Sequence, residues 1–173
     1  MSEFTFNDGI LIENKVFVKS YNRKIKNVVI PSDVVKIGKE AFKECKSLKN
    51  ITIPSEVKVI DEGAFYNCSS LKDIKFSFGL TKIGHSAFKY CFSLKDIIIP
   101  EGVKEIDSCA FEYCTNIESV TIPKSVKIIG VLAFNGCHKL RTINIYKGSK
   151  VNIQNFLDHS GVKPLKTNIN IID

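Results

Sequence analysis

A chain of 173 residues, 44% hydrophobic and 25% charged, has the make-up of one globular domain with a continuous core, which excludes disorder as the default state. Its 25 Lys and Arg against 18 Asp and Glu leave a formal net charge of +7, a field that either steers acidic partners or keeps a Lys-rich surface soluble. Met1 to Asn7 carry neither the basic start nor the apolar run of a secretory leader, and no stretch approaches ~18 consecutive apolar residues, so a soluble, cytoplasmic protein without a membrane span is expected.

Residues 1–25 read as an N-terminal cap. Ile10-Leu11-Ile12 and Val16-Phe17-Val18, joined by Glu13-Asn14-Lys15, predict a β-hairpin. From Lys26 to Tyr146 a 23-residue unit runs five times over. The step carries Val28-Val29-Ile30 onto Ile51-Thr52-Ile53, Ile74-Lys75-Phe76, Ile97-Ile98-Ile99, Val120-Thr121-Ile122 and Ile143-Asn144-Ile145. It also links Ile37, Ile60, Ile83, Ile106 and Ile129, then the Ala-Phe pairs ending in Phe42, Phe65, Phe88, Phe111 and Phe134. The same step joins Cys45, Cys68, Cys91, Cys114 and Cys137, and Leu48, Leu71, Leu94, Ile117 and Leu140; one step before Phe42, Lys19 stands where a Phe would be due.

Within a unit, Ala41, Phe42, Cys45 and Leu48 fall at i, i+1, i+4 and i+7, which predicts a short helix facing the core. Gly38, Asp61, Gly84, Asp107 and Gly130 stand just ahead, where a capping or turning residue is wanted. Ile51 and Ile53 then point one way and Asn50 and Thr52 the other, the alternation of a half-buried strand, and Pro31, Pro54, Pro100 and Pro123 end these strands for want of an N–H. One strand and one helical turn cannot bury such faces alone, so the units must stack. The fold class expected is an α/β solenoid: a parallel β-sheet of six equivalent strands on one face, short helices or turns on the other, and Phe over Phe inside. Residues 147–173 read as a degenerate C-terminal cap, with Phe156-Leu157 in a stretched last turn and Ile169-Asn170-Ile171 as a closing strand.

The run Ile-Gly-x-x-Ala-Phe-x-x-Cys-x-x-Leu-x-x-Ile-x-Ile-Pro, from Ile37 to Pro54, resembles the BspA-type leucine-rich repeat, and the resemblance extends over about residues 26–146. Asn7-Asp8-Gly9-Ile10-Leu11 is similar to the start of such arrays. The resemblance implies a right-handed solenoid used for binding, often surface-associated in bacteria and protozoa, with some members taking part in adhesion. It carries no catalytic residues across, because the matching positions are core and turn positions.

Five of the six cysteines share one position between a core Phe and a core Leu or Ile, and no C-x-x-C pair accompanies them, so they read as stacked small hydrophobes rather than zinc ligands or disulfides. Cys109 lies off that ladder and is the thiol expected to be most exposed. His85, His138 and His159 converge with no nucleophile and acid, and Gly38, Gly84 and Gly130, 46 residues apart, form no phosphate loop. No catalytic site, cofactor or metal is expected.

Binding is therefore assigned to the outward face of the sheet. Its columns read Asn27, Asn50, Asp73, Asp96, Ser119, Thr142 and Val29, Thr52, Lys75, Ile98, Thr121, Asn144, and just ahead runs Lys26, Lys49, Lys72, Lys95, Glu118, Arg141. That basic row reads either as a site for an acidic partner or as a coat that tolerates exposed turns and discourages edge association. The expected function is a non-catalytic protein-protein interaction module whose partner presents an acidic patch; polyanion binding or surface adhesion is the alternative. Against nucleic acid, the row lacks interleaved aromatics, and Asp73 and Asp96 sit where phosphates would pass. Ser77-Phe78-Gly79 replaces the usual Pro-Ser-x, and Tyr90, Phe92 and Tyr113 lie on the opposite side; each of these aromatics is either a binding anchor or turn packing.

Overall fold

In a computed structural model, which describes residues 4–7, 9–151 and 168–173, the chain winds as a β-solenoid with no helix among the described residues. Strands β1 (Phe4–Asn7), β2 (Ile10–Glu13) and β3 (Val16–Ser20) form an antiparallel cap, one strand more than the expected hairpin. Asn14 and Lys15 make its tight turn at φ 49° and 62°.

Each unit contributes two strands, not one. The first set is β4 (Lys36–Ile37), β6 (Val59–Ile60), β8 (Lys82–Ile83), β10 (Glu105–Ile106) and β12 (Ile128–Ile129), all parallel and joined to the cap through β3. Two residues are too few for an alternation to show in a sequence, so this second sheet was not foreseen. The foreseen sheet holds β5 (Asn50–Thr52), β7 (Asp73–Lys75), β9 (Asp96–Ile98), β11 (Ser119–Ile122), β13 (Thr142–Tyr146) and the closing strand β14 (Asn168–Ile172). Two corrections apply. The strand expected at 28–30 is reduced to a single bridge between Asn27 and Asn50, and the sheet is interrupted between β7 and β9. Phe156-Leu157 lies outside the described residues.

The third side replaces the expected helices, and the hydrogen bonds explain why. A helix would return each N–H to the same turn. Here Glu40, Phe42 and Glu44 donate to the carbonyls of Glu62, Ala64 and Tyr66 in the next unit at 2.7–2.9 Å, while Ala41, Lys43 and Cys45 donate locally three residues back. Every second amide is thus spent between units. The alternation needs left-handed residues, supplied at Glu40, Ser86, Cys109 and Leu132 (φ 52–59°) and again at Glu44, Asn67, Tyr90 and Tyr113 (φ 56–64°).

Phe42, Phe65, Phe88, Phe111 and Phe134 stack inside with centroids 5.0–5.2 Å apart, and the cap supplies Phe17 as the first ring, 4.4 Å from Phe42. All six rings are buried. The expected caps at Gly38, Asp61, Gly84, Asp107 and Gly130 have no helix to cap and serve close stacking instead. Asp61 and Asp107 each fold back on the following amide at 2.8 and 2.7 Å, and a Cβ on Gly84 or Gly130 would meet that same backbone at 2.8 or 2.3 Å.

Candidate binding surface

The outward columns of the broken sheet are where the sequence placed them. Asn27, Asn50, Asp73 and Asp96 are exposed and Ser119 and Thr142 half-buried; Val29, Thr52, Lys75 and Ile98 are exposed and Thr121 and Asn144 half-buried. Neighbouring strands tie these side chains together. Ser119 donates to Asp96 at 2.5 Å, and Asn50, its amide nitrogen turned toward the acceptors around it, donates to Asp73 at 3.1 Å. Toward the C-terminal end, Asn144 meets Thr121 at 3.4 Å, and Asn170 donates to Asn144 at 3.0 Å.

Ahead of these columns Lys26, Lys49, Lys72, Lys95, Glu118 and Arg141 are all exposed. Their backbone forms a ladder of its own: Lys49 donates to Lys26, Lys72 to Lys49, Glu118 to Lys95 and Arg141 to Glu118 at 2.8–3.1 Å. The rung from Lys95 to Lys72 is missing. Among the described residues the four lysines of the row have no ion pair, whereas Lys36, Lys39, Lys43, Lys82 and Lys89 reach Asp61, Glu62, Glu40, Glu105 and Glu112 at 2.6–3.0 Å. Those five acids pair with cations away from the row, while Asp73 and Asp96 beside the row and Glu118 within it stay exposed without an ion pair among the described residues.

One cavity, of 410 Å³, lies where the rung is missing, lined by Lys72, Asp73, Ser93, Lys95 and Asn116. Another, of 400 Å³, lies along the ends of β9, β11 and β13, where Phe78 joins Ile98, Pro100, Glu101, Pro123, Lys124 and Tyr146. Phe78 is 87% exposed and does not pack under its turn, and Ile98 is 69% exposed. A third, of 950 Å³, opens between the cap and the unformed first strand, lined by Ile10, Ile12, Ile25, Val28 and Val29 with Lys24 and Lys26 at its edge.

The turn side is more self-contained. Tyr90 stacks on Tyr113 at 5.3 Å, Tyr66 meets Tyr90 edge-on, and Lys43 and Lys89 lie over Tyr66 and Tyr90. Gly136, at the next place in this row, leaves room for the Tyr113 ring, whose nearest atom a Cβ there would meet at 2.5 Å. Ring faces that cover one another offer only their edges to a partner. Beside them, Glu112 is buried, paired with Lys89 at 2.6 Å and held by Asn135 at 3.1 Å; Lys89 and these hydrogen bonds outweigh burial and keep its carboxyl below the usual range.

The cysteine ladder does more than fill space. Cys68, Cys91, Cys114 and Cys137 each donate their thiol to the carbonyl of a Phe in the preceding unit at 3.0–3.3 Å, a directional role the spacing alone did not reveal. Burial pushes Cys68, Cys91 and Cys114 well above the ordinary thiol value and Cys137 up to about 12. Cys109 is half-buried, and its thiol too is raised, by burial first and then by its hydrogen bond to Glu112. Because the thiolate is the nucleophile, a bulky disulfide reagent at pH 8 is expected to label Cys109 first but slowly, and to reach Cys45, Cys68, Cys91 and Cys114 only on unfolding. Rapid native labelling of any of those four contradicts this packing.

His85 and His138 are exposed, and among the described residues no three His, Cys, Asp or Glu side chains gather as a metal would need. No described helix is long and apolar enough to cross a membrane.

The profile of the BspA type leucine rich repeat region matches residues 10–141 and 105–159, in six copies. Among solved structures, the chain is 31% identical to the Treponema pallidum leucine-rich repeat protein, with a TM-score of 0.73 over 83% of this chain and 68% of that one. It is 32% identical to a leucine rich cell surface protein of Faecalibacterium prausnitzii, TM-score 0.79, over 92% of this chain and 43% of that one. A leucine-rich repeat protein of Bacteroides ovatus is 26% identical, TM-score 0.71, over 86% and 43%. The chain thus spans under half the length of the Bacteroides and Faecalibacterium proteins. No curated protein matches.

Proposed function

Since the chain belongs to the BspA-type leucine-rich repeat family, we propose that it is a non-catalytic binding module whose sheet face and flanking basic row contact a protein partner bearing an acidic patch. The carrying observation is the exposed row Lys26, Lys49, Lys72 and Lys95, without an ion pair among the described residues, beside a sheet whose Asp73 and Asp96 are hydrogen-bonded by Asn50 and Ser119. Like charges stacked unit upon unit are unfavourable in isolation, and an acidic surface relieves that repulsion while raising the encounter rate. The six free thiols fit a reducing compartment, which supports the cytoplasmic placement. Adhesion is the second reading, favoured by the description of the Faecalibacterium protein as a cell surface protein.

The test is a charge reversal. The triple variant Lys49→Glu, Lys72→Glu, Lys95→Glu is expected to lose the partner captured by the native protein while its melting temperature barely moves, exposed substitutions costing less than ~0.5 kcal/mol each. Tyr90→Ala, Phe92→Ala, Tyr113→Ala is expected to keep the partner. The reverse outcome assigns binding to the turn side.

A further inference from the structure

The third unit departs from its neighbours in ways that converge on one place. Phe76 stands where the other units have Ile53, Ile99, Ile122 and Ile145, and its ring sits edge-on against Phe88 at 5.9 Å. Phe76 is half-buried where those isoleucines are buried, and Ile74 is half-buried where Ile51, Ile97, Val120 and Ile143 are buried, so this strand sits less deeply in the core than its four equivalents in those units. Asp73 and Asp96 occupy the same register position in the two strands on either side, and like charges there disfavour closing the sheet. Here the sheet is interrupted, between β7 and β9, and the Lys95 amide has no carbonyl partner among the described residues. Beyond the end of β7 the same unit presents Phe78 to solvent, where its neighbours have Ser55 and Glu101, and the next unit exposes Ile98, where its neighbours have Lys75 and Thr121.

We propose that the sheet face of units three and four seats one short extended peptide, its acidic side chain at the opened rung between Lys72 and Lys95 and a bulky apolar side chain on Phe78 and Ile98. This rests on the binding-module reading and names the segment its partner offers. The charge side is net positive: the 410 Å³ cavity is lined by Lys72 and Lys95, which have no ion pair among the described residues, against the single acid Asp73, whose carboxylate keeps its charge while Asn50 donates to it, as Ser119 does to Asp96. At the other end Phe78 and Ile98 share the 400 Å³ cavity with Pro100, Pro123 and Tyr146, with Glu101, Lys124 and Asp173 also lining it, and large exposed apolar groups beside a cavity are the usual anchors of recognition. Lys95 and Pro100 are five residues apart, roughly 16 Å at about 3.3 Å per residue, so the two side chains of an extended ligand are separated by about four or five residues.

A random 12-residue peptide library displayed on phage and selected on the intact protein, followed by titration of the enriched peptides, tests this. Two double variants serve as comparisons: Phe78→Ser with Ile98→Thr, which takes the neighbouring units' residues, and Lys72→Glu with Lys95→Glu. The expected result is enrichment of an acid spaced four or five residues from an aromatic or aliphatic residue, with affinity falling at least tenfold on each variant and the melting temperature held. Peptides that lose affinity only for the lysine variant overturn the composite site and leave the charge-based binding module standing. Peptides indifferent to both variants, or no enrichment, overturn the peptide site, and the charge-reversal experiment with the native partner then decides the broader reading independently.

Discussion

Replacing Phe88 with alanine is expected to destabilise the fold by about 3–5 kcal/mol, read from chemical denaturation followed by far-ultraviolet circular dichroism. The ring is fully buried, stacked on Phe65 at 5.1 Å and Phe111 at 5.2 Å, and touched edge-on by Phe76. Its removal opens a cavity between two units that cannot collapse, because Phe88 N and the surrounding turn amides are pinned to the next unit's carbonyls. Stability in a solenoid is a sum of unit and nearest-neighbour terms, so a loss in the middle weakens two interfaces at once and uncouples the halves on either side. Unfolding of the variant is accordingly expected to split into two transitions. A loss below about 1 kcal/mol with a single transition would mean that the ring stack does not hold the units together.

The 23-residue step was legible because stacking repeats a physical environment, and an environment that repeats selects the same residue each time. What the step could not convey was where each amide goes. Ala41, Phe42, Cys45 and Leu48 are buried as a helical face would be, yet the amides of Phe42 and Glu44 leave the turn for Ala64 and Tyr66. Side-chain spacing reports which way residues point, and here a left-handed residue at every fourth place imitates the spacing of a helix. The 23-residue step links Ile37, Ile60, Ile83 and Ile106, which are buried, and Ile129, half-buried against the core, but a two-residue strand carries no period by which to recognise it.

The proposed surface was legible in part for the same reason. Outward columns follow from alternation, and Lys49, Asn50, Thr52, Lys72, Asp73, Lys75, Lys95, Asp96 and Ile98 lie exposed as expected, with Arg141 beyond them. Ser119, Thr121 and Asn144 are half-buried, drawn into side-chain hydrogen bonds across the strands. The interruption between β7 and β9 was not legible, because the 23-residue step continues through it unbroken and a pattern of polar and apolar letters treats Phe76 and its isoleucine equivalents alike.

Gly79→Ala is expected to cost at least as much as overpacking usually does, about 1–3 kcal/mol, and to dislodge Phe78. A Cβ at position 79 would lie 1.7 Å from the Ser55 carbonyl oxygen and 2.9 Å from its carbon, so the obstacle is backbone rather than a side chain free to rotate away. The approach is this close only in the altered turn, where Ser77 Oγ donates to the Pro54 carbonyl at 2.6 Å and draws the two units together. At the equivalent places the other units hold Asp33, Glu56, Gly102 and Ser125, three of them with side chains. Gly148→Ala is the control: it sits at φ 82° with nothing within 4 Å, so it measures the left-handed penalty alone, about 1 kcal/mol. Because the turn carries Phe78, Gly79→Ala is expected to weaken peptide binding as well, whereas Phe78→Ser weakens binding and leaves stability unchanged. If Gly79→Ala melts with the native protein and binds as well, the third turn is not held against Ser55 as described, and the placement of Phe78 falls with it.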